Sequence, residues 1–139
     1  KHGEILYNLI NNKNDDRKVF FIHGGVAAEE RERIRAITEK ENNAIIIASY
    51  GTFSTGVNIR NLHNLIFASP SKSRIRNLQS IGRGLRLGDS KTHATLYDIS
   101  DDLIHRDREN YTLKHFQERV KIYNEEQFEY EIHNVELKN

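Results

Sequence analysis

Two arginines and a glutamine hold the strongest chemical signal in the chain, within Gln79-Ser80-Ile81-Gly82-Arg83-Gly84-Leu85-Arg86. At about 100° per residue, Gln79, Arg83 and Arg86 fall within an arc of about 60° on a helix, and Leu78, Ile81 and Leu85 lie on the opposite side. A helix predicted over 73–86 would turn its apolar side to a core and show one amide and two guanidinium groups in a row. Guanidinium is a planar fork of donors that fits phosphate oxygens. At a terminal phosphate it stabilises charge that spreads during phosphoryl transfer. Gly82 and Gly84 each weaken a helix by about 1 kcal/mol relative to alanine, so their presence suggests a close approach to the backbone. The flanking stretch is basic: Lys72, Arg74, Arg76, Arg83, Arg86 and Lys91 stand against Asp89 alone. A phosphate-binding face and a solvated helix face account for that charge equally well.

A second segment runs from Ile45 to Ile59. Ile45-Ile46-Ile47-Ala48 opens into Ser49-Tyr50-Gly51-Thr52-Phe53-Ser54-Thr55-Gly56-Val57-Asn58, a stretch of small hydroxyls and glycines. Backbone amides and hydroxyls of this kind can bind a phosphodiester without reading bases. Asn58 could bond a ribose or the arginine helix. An ordinary loop at a strand end would look similar, and it is the order and spacing of the two segments that make them specific.

Those segments need a scaffold. Helical spacing of Ile5, Leu6, Leu9 and Ile10 predicts a first helix from His2 to Asn11. Short buried strands are predicted at Lys18–Ile22, Ala44–Ala48, Asn64–Ala68 and Ala94–Ile99, with a helix at Ala27–Lys40 and a polar loop from Ser49 to Ile59. Ser71 is a candidate N-cap for the arginine helix. Apolar strands alternating with helices indicate an α/β domain with a mostly parallel sheet. Ligands of such sheets sit beyond the carboxyl ends of the strands. Residues 1–100 are expected to form that domain, and residues 101–139 a C-terminal extension packed on it. Leu113, Phe116 and Val120 predict a helix over Tyr111–Glu125. The alternation of Phe128, Tyr130 and Ile132 with Glu129, Glu131 and His133 predicts an appended strand. Tyr111, Phe116, Tyr123, Phe128 and Tyr130 could stack on bases, but their spacing favours packing.

The bulk composition bounds the rest. A chain of 139 residues with 37% hydrophobic and 29% charged residues can build one core under a solvated surface. It has no cysteine, which excludes disulfides and cysteine-ligated zinc. Its histidines show no ligand spacing, so no metal site is expected on this chain. No apolar run is long enough to span a membrane, and no signal peptide is visible. With no methionine and an opening at Lys1-His2-Gly3, the chain is expected to be part of a larger protein. A phosphate-binding P-loop requires Gly-x-x-x-x-Gly-Lys-[Ser/Thr]. The Lys91-Thr92 pair has Ser90 and Leu85 at the two glycine positions and fails that test.

Gln79 to Arg86 resembles motif VI, and Ser49 to Ile59 motif V, of superfamily 2 helicases. The Lys18–Gly25 strand and turn followed by Glu29-Glu30-Arg31 resembles the segment after motif IV. Asn110–His115 and Phe128-Glu129-Tyr130 resemble the end of a phage recombination helicase. Ser49 and Asn58 replace the Thr and Asp of many members, and those changes are similar to the recombination and Swi2/Snf2 branches. The resemblance implies a three-layer RecA-like (P-loop NTPase-like) fold, the second of two motor domains. It implies that Arg83 and Arg86 contact ATP phosphates, one of them as the arginine finger. Gln79 would support the nucleotide pocket or couple it to nucleic acid, and Gly56 and Asn58 would line the ATP side of motif V. Ser49, Tyr50, Gly51 and Thr52 would lie nearer the nucleic-acid backbone, and His23 and Gly24 would touch a phosphate of the tracking strand. ATP with Mg2+ would be held mainly by an N-terminal RecA-like domain of the same protein, so this part alone is expected to be inactive. DNA is the expected partner, the protein is expected to be a cytoplasmic monomer, and a non-catalytic binding module or a restriction or remodelling translocase are the alternatives.

Overall fold

The computed structural model describes residues 1–13, 16–54, 62–69, 94–103 and 108–137, the side chains of Phe53 and Ser54 aside. It divides into two compact units, Lys1–His63 and Asn64–Asn139.

In the first unit the order is α1 (His2–Asn12), β1 (Lys18–Ile22), α2 (Ala28–Lys40), β2 (Ala44–Ala48) and α3 (Tyr50–Ser54). Both strands coincide with their apolar runs. They pair in parallel, from Lys18↔Ala44 to Ile22↔Ala48. Strand side chains alternate between faces, so Phe21 lies on one face and Ile22 on the other. Helix α1 packs on the Phe21 face. Its Tyr7 ring stacks on Phe21 at 6.0 Å, and a Cβ at Gly3 would come within 2.8 Å of Phe21 Cε2. On the opposite face Ile22 is 0% exposed. Helix α2 buries Ile34 and Thr38, the Thr38 hydroxyl donating to the Ile34 carbonyl at 2.7 Å. Its outer face carries Arg33–Glu30 and Arg35–Glu32 pairs one turn apart, which are solvated and add little stability.

The predicted polar loop at Ser49 begins instead as the one-turn helix α3. Thr52 N–H bonds the Ser49 carbonyl at 3.0 Å, and the Ser49 and Thr52 hydroxyls share a 2.6 Å hydrogen bond. Serine and threonine compete for local backbone and side-chain partners, and here that closes a turn.

The second unit contains β3 (Asn64–Phe67), β4 (Thr95–Asp98) and α4 (Tyr111–Glu125). β3 and β4 are parallel, ending at Phe67↔Asp98. Helix α4 is fixed to β4 by a buried ion pair. Arg119, 1% exposed, donates to Asp98 through Nε at 2.7 Å and Nη2 at 2.8 Å. The Tyr123 hydroxyl donates to Asp98 Oδ2 at 2.6 Å. Burial, and then this bond, push the Tyr123 hydroxyl well above the ordinary tyrosine range. The start of α4 is held by Asn110, which accepts from Leu103 N–H and donates to the Asp101 carbonyl.

The appended strand expected from Phe128 does not form: residues 128–137 carry no strand among the described residues. Helix α4 closes in a Schellman motif, with Gln127 N–H on the Asn124 carbonyl and Phe128 N–H on the Tyr123 carbonyl. Gln127 takes the left-handed conformation at φ 56°. Phe128 and Tyr130 then fold back onto the Tyr123 ring, and the Tyr130 hydroxyl donates to Asn124. The alternating aromatics are used to cap a helix, and Leu137 beyond them is 91% exposed. No described helix is long and apolar enough to cross a membrane.

Candidate nucleic-acid interface

Parallel pairing places the carboxyl ends of β1 and β2 at one edge of their sheet. The ladder continues one step beyond the last pair, Ser49 N–H donating to the Ile22 carbonyl at 3.0 Å. His23 and Ser49 therefore leave the sheet side by side, about one strand spacing (~4.8 Å) apart. Two of the sequence-predicted segments, His23-Gly24 and Ser49-Tyr50-Gly51-Thr52, thus meet at one rim, although they are far apart in the chain.

The first is a tight turn. Val26 N–H bonds the His23 carbonyl at 3.0 Å, and Gly25 N–H bonds His23 Nδ1 at 3.1 Å. Arg31 Nε reaches back from α2 to the Val26 carbonyl at 3.0 Å and braces the turn. The His23 ring leans on Phe21, with centroids 5.0 Å apart. His23, Gly24 and Gly25 are all exposed. A Cβ at Gly24 would meet nothing within 4 Å, but one at Gly25 would lie 3.1 Å from His23 Cε1. Gly25 is thus the glycine on which the ring's position depends, and the sequence reading passed over it. The signal was available as a histidine followed by two glycines at a strand end.

In the second segment Ser49 and Gly51 are exposed and Tyr50 is half-buried. Thr52 is 6% exposed. Its hydroxyl faces Ser49 from beneath, so it lies under the rim and not on it. The rim presents the exposed His23 imidazole and the hydroxyl of the exposed Ser49, and no acidic side chain of these two segments intrudes. Such a surface can accept a phosphodiester backbone by hydrogen bonding and offers no pattern for distinguishing bases.

The other expected site residues, Gly56, Asn58, Gln79, Arg83 and Arg86, and the predicted helix over 73–86 with Ser71 before it, lie outside the described residues. Among the described residues no group of three metal-ligating side chains converges.

Comparison with known proteins is specific. The model of the helicase conserved C-terminal domain matches residues 2–88. The chain is 38% identical over 146 aligned residues to the ATP-dependent DNA helicase uvsW of Enterobacteria phage T4, an alignment covering 98% of this chain and 29% of that protein. It is 36% identical over 60 residues to the putative ATP-dependent helicase IRC3 of Saccharomyces cerevisiae, covering 43% of this chain and 9% of that protein. The chain thus spans less than a third of the length of either relative. No solved structure matches significantly. The family match carries with it a RecA-like α/β fold, to which the two parallel strand pairs conform, and the chain belongs to the helicase conserved C-terminal domain family.

Proposed function

We propose that this chain is the C-terminal motor half of a superfamily 2 ATP-dependent DNA helicase or translocase, coupling ATP hydrolysis to movement on branched recombination or replication DNA. The observation that carries the proposal is the meeting of His23-Gly24 with Ser49-Tyr50-Gly51 at the carboxyl edge of β1 and β2. Two segments that the family resemblance marks as backbone-binding elements form one exposed hydrogen-bonding rim there. His23, Gly24, Ser49, Tyr50 and Gly51 would hold the tracking strand, and Thr52 would act by orienting the Ser49 hydroxyl. The likeness to a phage protein named as a DNA helicase supports DNA over RNA.

Arg83 and Arg86 would meet the ATP phosphates, with Gln79, Gly56 and Asn58 around the nucleotide. ATP supplies the phosphoryl group whose transfer to water drives the cycle, and one arginine would neutralise the charge that develops. An N-terminal RecA-like domain of the same protein would provide the P-loop and the Mg2+ site. The complete three-layer domain, a monomeric state and a cytoplasmic location belong to the same reading.

The test uses the intact protein that carries this chain. ATPase is measured with and without single-stranded and branched DNA for the wild type, Arg83→Ala and Arg86→Ala. DNA should stimulate the wild type, and loss of the finger should lower turnover by about 10³-fold or more while ATP still binds. Full DNA-stimulated activity in both variants would refute the motif VI assignment and favour a non-catalytic nucleic-acid-binding module.

A further inference from the structure

We infer that His23 meets the nucleic-acid backbone as a neutral imidazole donating from Nε2, and that Gly25 is the positioning residue that fixes it in that form. The inference rests on the proposed nucleic-acid role of the rim and specifies its chemistry.

Gly25 N–H donates to His23 Nδ1 at 3.1 Å. A ring nitrogen that accepts a hydrogen bond carries no proton, so the neutral ring has its proton on Nε2. A second proton would turn Nδ1 into a donor facing another donor. Among the described residues Nε2 has no hydrogen-bond partner, and the side chain is exposed. One N–H is therefore left on an exposed ring, where a non-bridging phosphate oxygen can accept it.

The ring's place is set from both sides. A methyl group at Gly25 would press on the ring, its Cβ lying 3.1 Å from Cε1 and 3.2 Å from Nδ1, so the imidazole would have to give way by a few tenths of an ångström. On the other side the ring rests on Phe21, and Phe21 is itself held by Tyr7 and by the close approach of Gly3. The imidazole sits between a backbone that fixes its tautomer and an aromatic ring that fixes its tilt. Its contribution to binding is then a hydrogen bond without charge.

Charge and hydrogen bonding separate in the salt dependence of binding. Each cationic contact to single-stranded nucleic acid contributes about 0.7 to the slope of log K against log salt, through counterion release. A neutral donor contributes nothing to that slope.

The experiment measures equilibrium binding of a single-stranded oligodeoxynucleotide to the intact protein over a range of salt. The variants are His23→Ala, His23→Gln, Gly25→Ala and the double variant His23→Ala with Gly25→Ala. His23→Ala should weaken binding by about 2- to 10-fold, as for one hydrogen bond, with the slope unchanged. His23→Gln, whose amide nitrogen is as many bonds from the backbone as Nε2, should recover most of the loss. Gly25→Ala should weaken binding comparably in the wild type and have no effect once the ring is gone, which also excludes a folding defect. Unchanged binding in His23→Ala would overturn the nucleic-acid reading of the turn itself. Weakened binding with a slope lower by about 0.7 would keep that reading and show a charged histidine, against the inference. A Gly25→Ala effect that is absent, or equal with and without the ring, would remove the positioning role.

Discussion

The two strand pairs end in the same backbone geometry and in opposite chemistry. In one, Ser49 N–H extends the ladder to the Ile22 carbonyl at 3.0 Å; in the other, Ile99 N–H extends it to the Phe67 carbonyl at 3.2 Å. Beyond β1 and β2 stand an exposed histidine, glycines and an exposed serine. At the end of β4 stands Asp98, whose oxygens are taken up by Arg119 and Tyr123 from α4. The carboxyl edge of a parallel pair is where ligands of α/β proteins bind, but the edge alone does not make a site. It is a candidate site where polar side chains such as those of His23 and Ser49 stay exposed, and it becomes a structural joint where another element of the chain covers them, as Arg119 and Tyr123 cover Asp98.

The sharpest way to break this contrast is at the joint. Arg119→Ala would leave the buried Asp98 carboxylate without its cation, with the Tyr123 hydroxyl as its remaining donor, and should cost about 3–5 kcal/mol of unfolding free energy, read by denaturant titration. Replacing both partners, Asp98→Leu with Arg119→Met, should recover much of that loss, because a buried ion pair gains little over apolar packing. A loss below about 1 kcal/mol in Arg119→Ala would show that α4 is not held by this pair.

Tyr123→Phe sharpens the same point at lower cost. It removes a hydrogen bond to a charged group and should destabilise by about 1.5–3 kcal/mol. The tyrosine's raised pKa has a pH signature. A proton held more tightly in the folded state stabilises it below the unfolded pKa of about 10, and that stability is lost as pH rises further. Wild type should thus lose stability above about pH 10 more steeply than Tyr123→Phe, and parallel alkaline curves for the two would contradict the account.

At the rim the expected effects on stability are smaller. Ser49→Ala removes the hydroxyl pair with Thr52 and should cost about 0.5–1.5 kcal/mol. A larger effect there than at Arg119 would invert the contrast between joint and site.

Much of this was legible in the residues. Val19–Ile22 and Ala44–Ala48 are continuous apolar runs bounded by polar residues, and each run lies wholly within its strand. Helix α4 follows from the spacing of Leu113, Phe116 and Val120. That His23 and Ser49 lie at one edge follows from assigning both to the ends of parallel strands, whereas the side-by-side pairing of those strands is seen only in the fold. Other features depend on partners that periodicity cannot name. The Asp98–Arg119 pair joins residues 21 positions apart, and each alone resembles any charged residue. The tail's alternation of apolar and polar residues suggested a strand because that pattern does not record where aromatic rings go. Here they return to Tyr123. The short helix at Tyr50 arose from one hydroxyl pair within a stretch rich in glycine and serine, where composition favours a loop.

The most direct test of the central claim is amide hydrogen exchange of the intact protein with and without a saturating single-stranded oligodeoxynucleotide. The account predicts slowed exchange in the 23–26 turn and in residues 49–52, with residues 98–103 and the 119–123 stretch of α4 unchanged. Protection confined to residues 98–123, with none at 23–26 or 49–52, would contradict it and place nucleic acid at the edge described here as a joint.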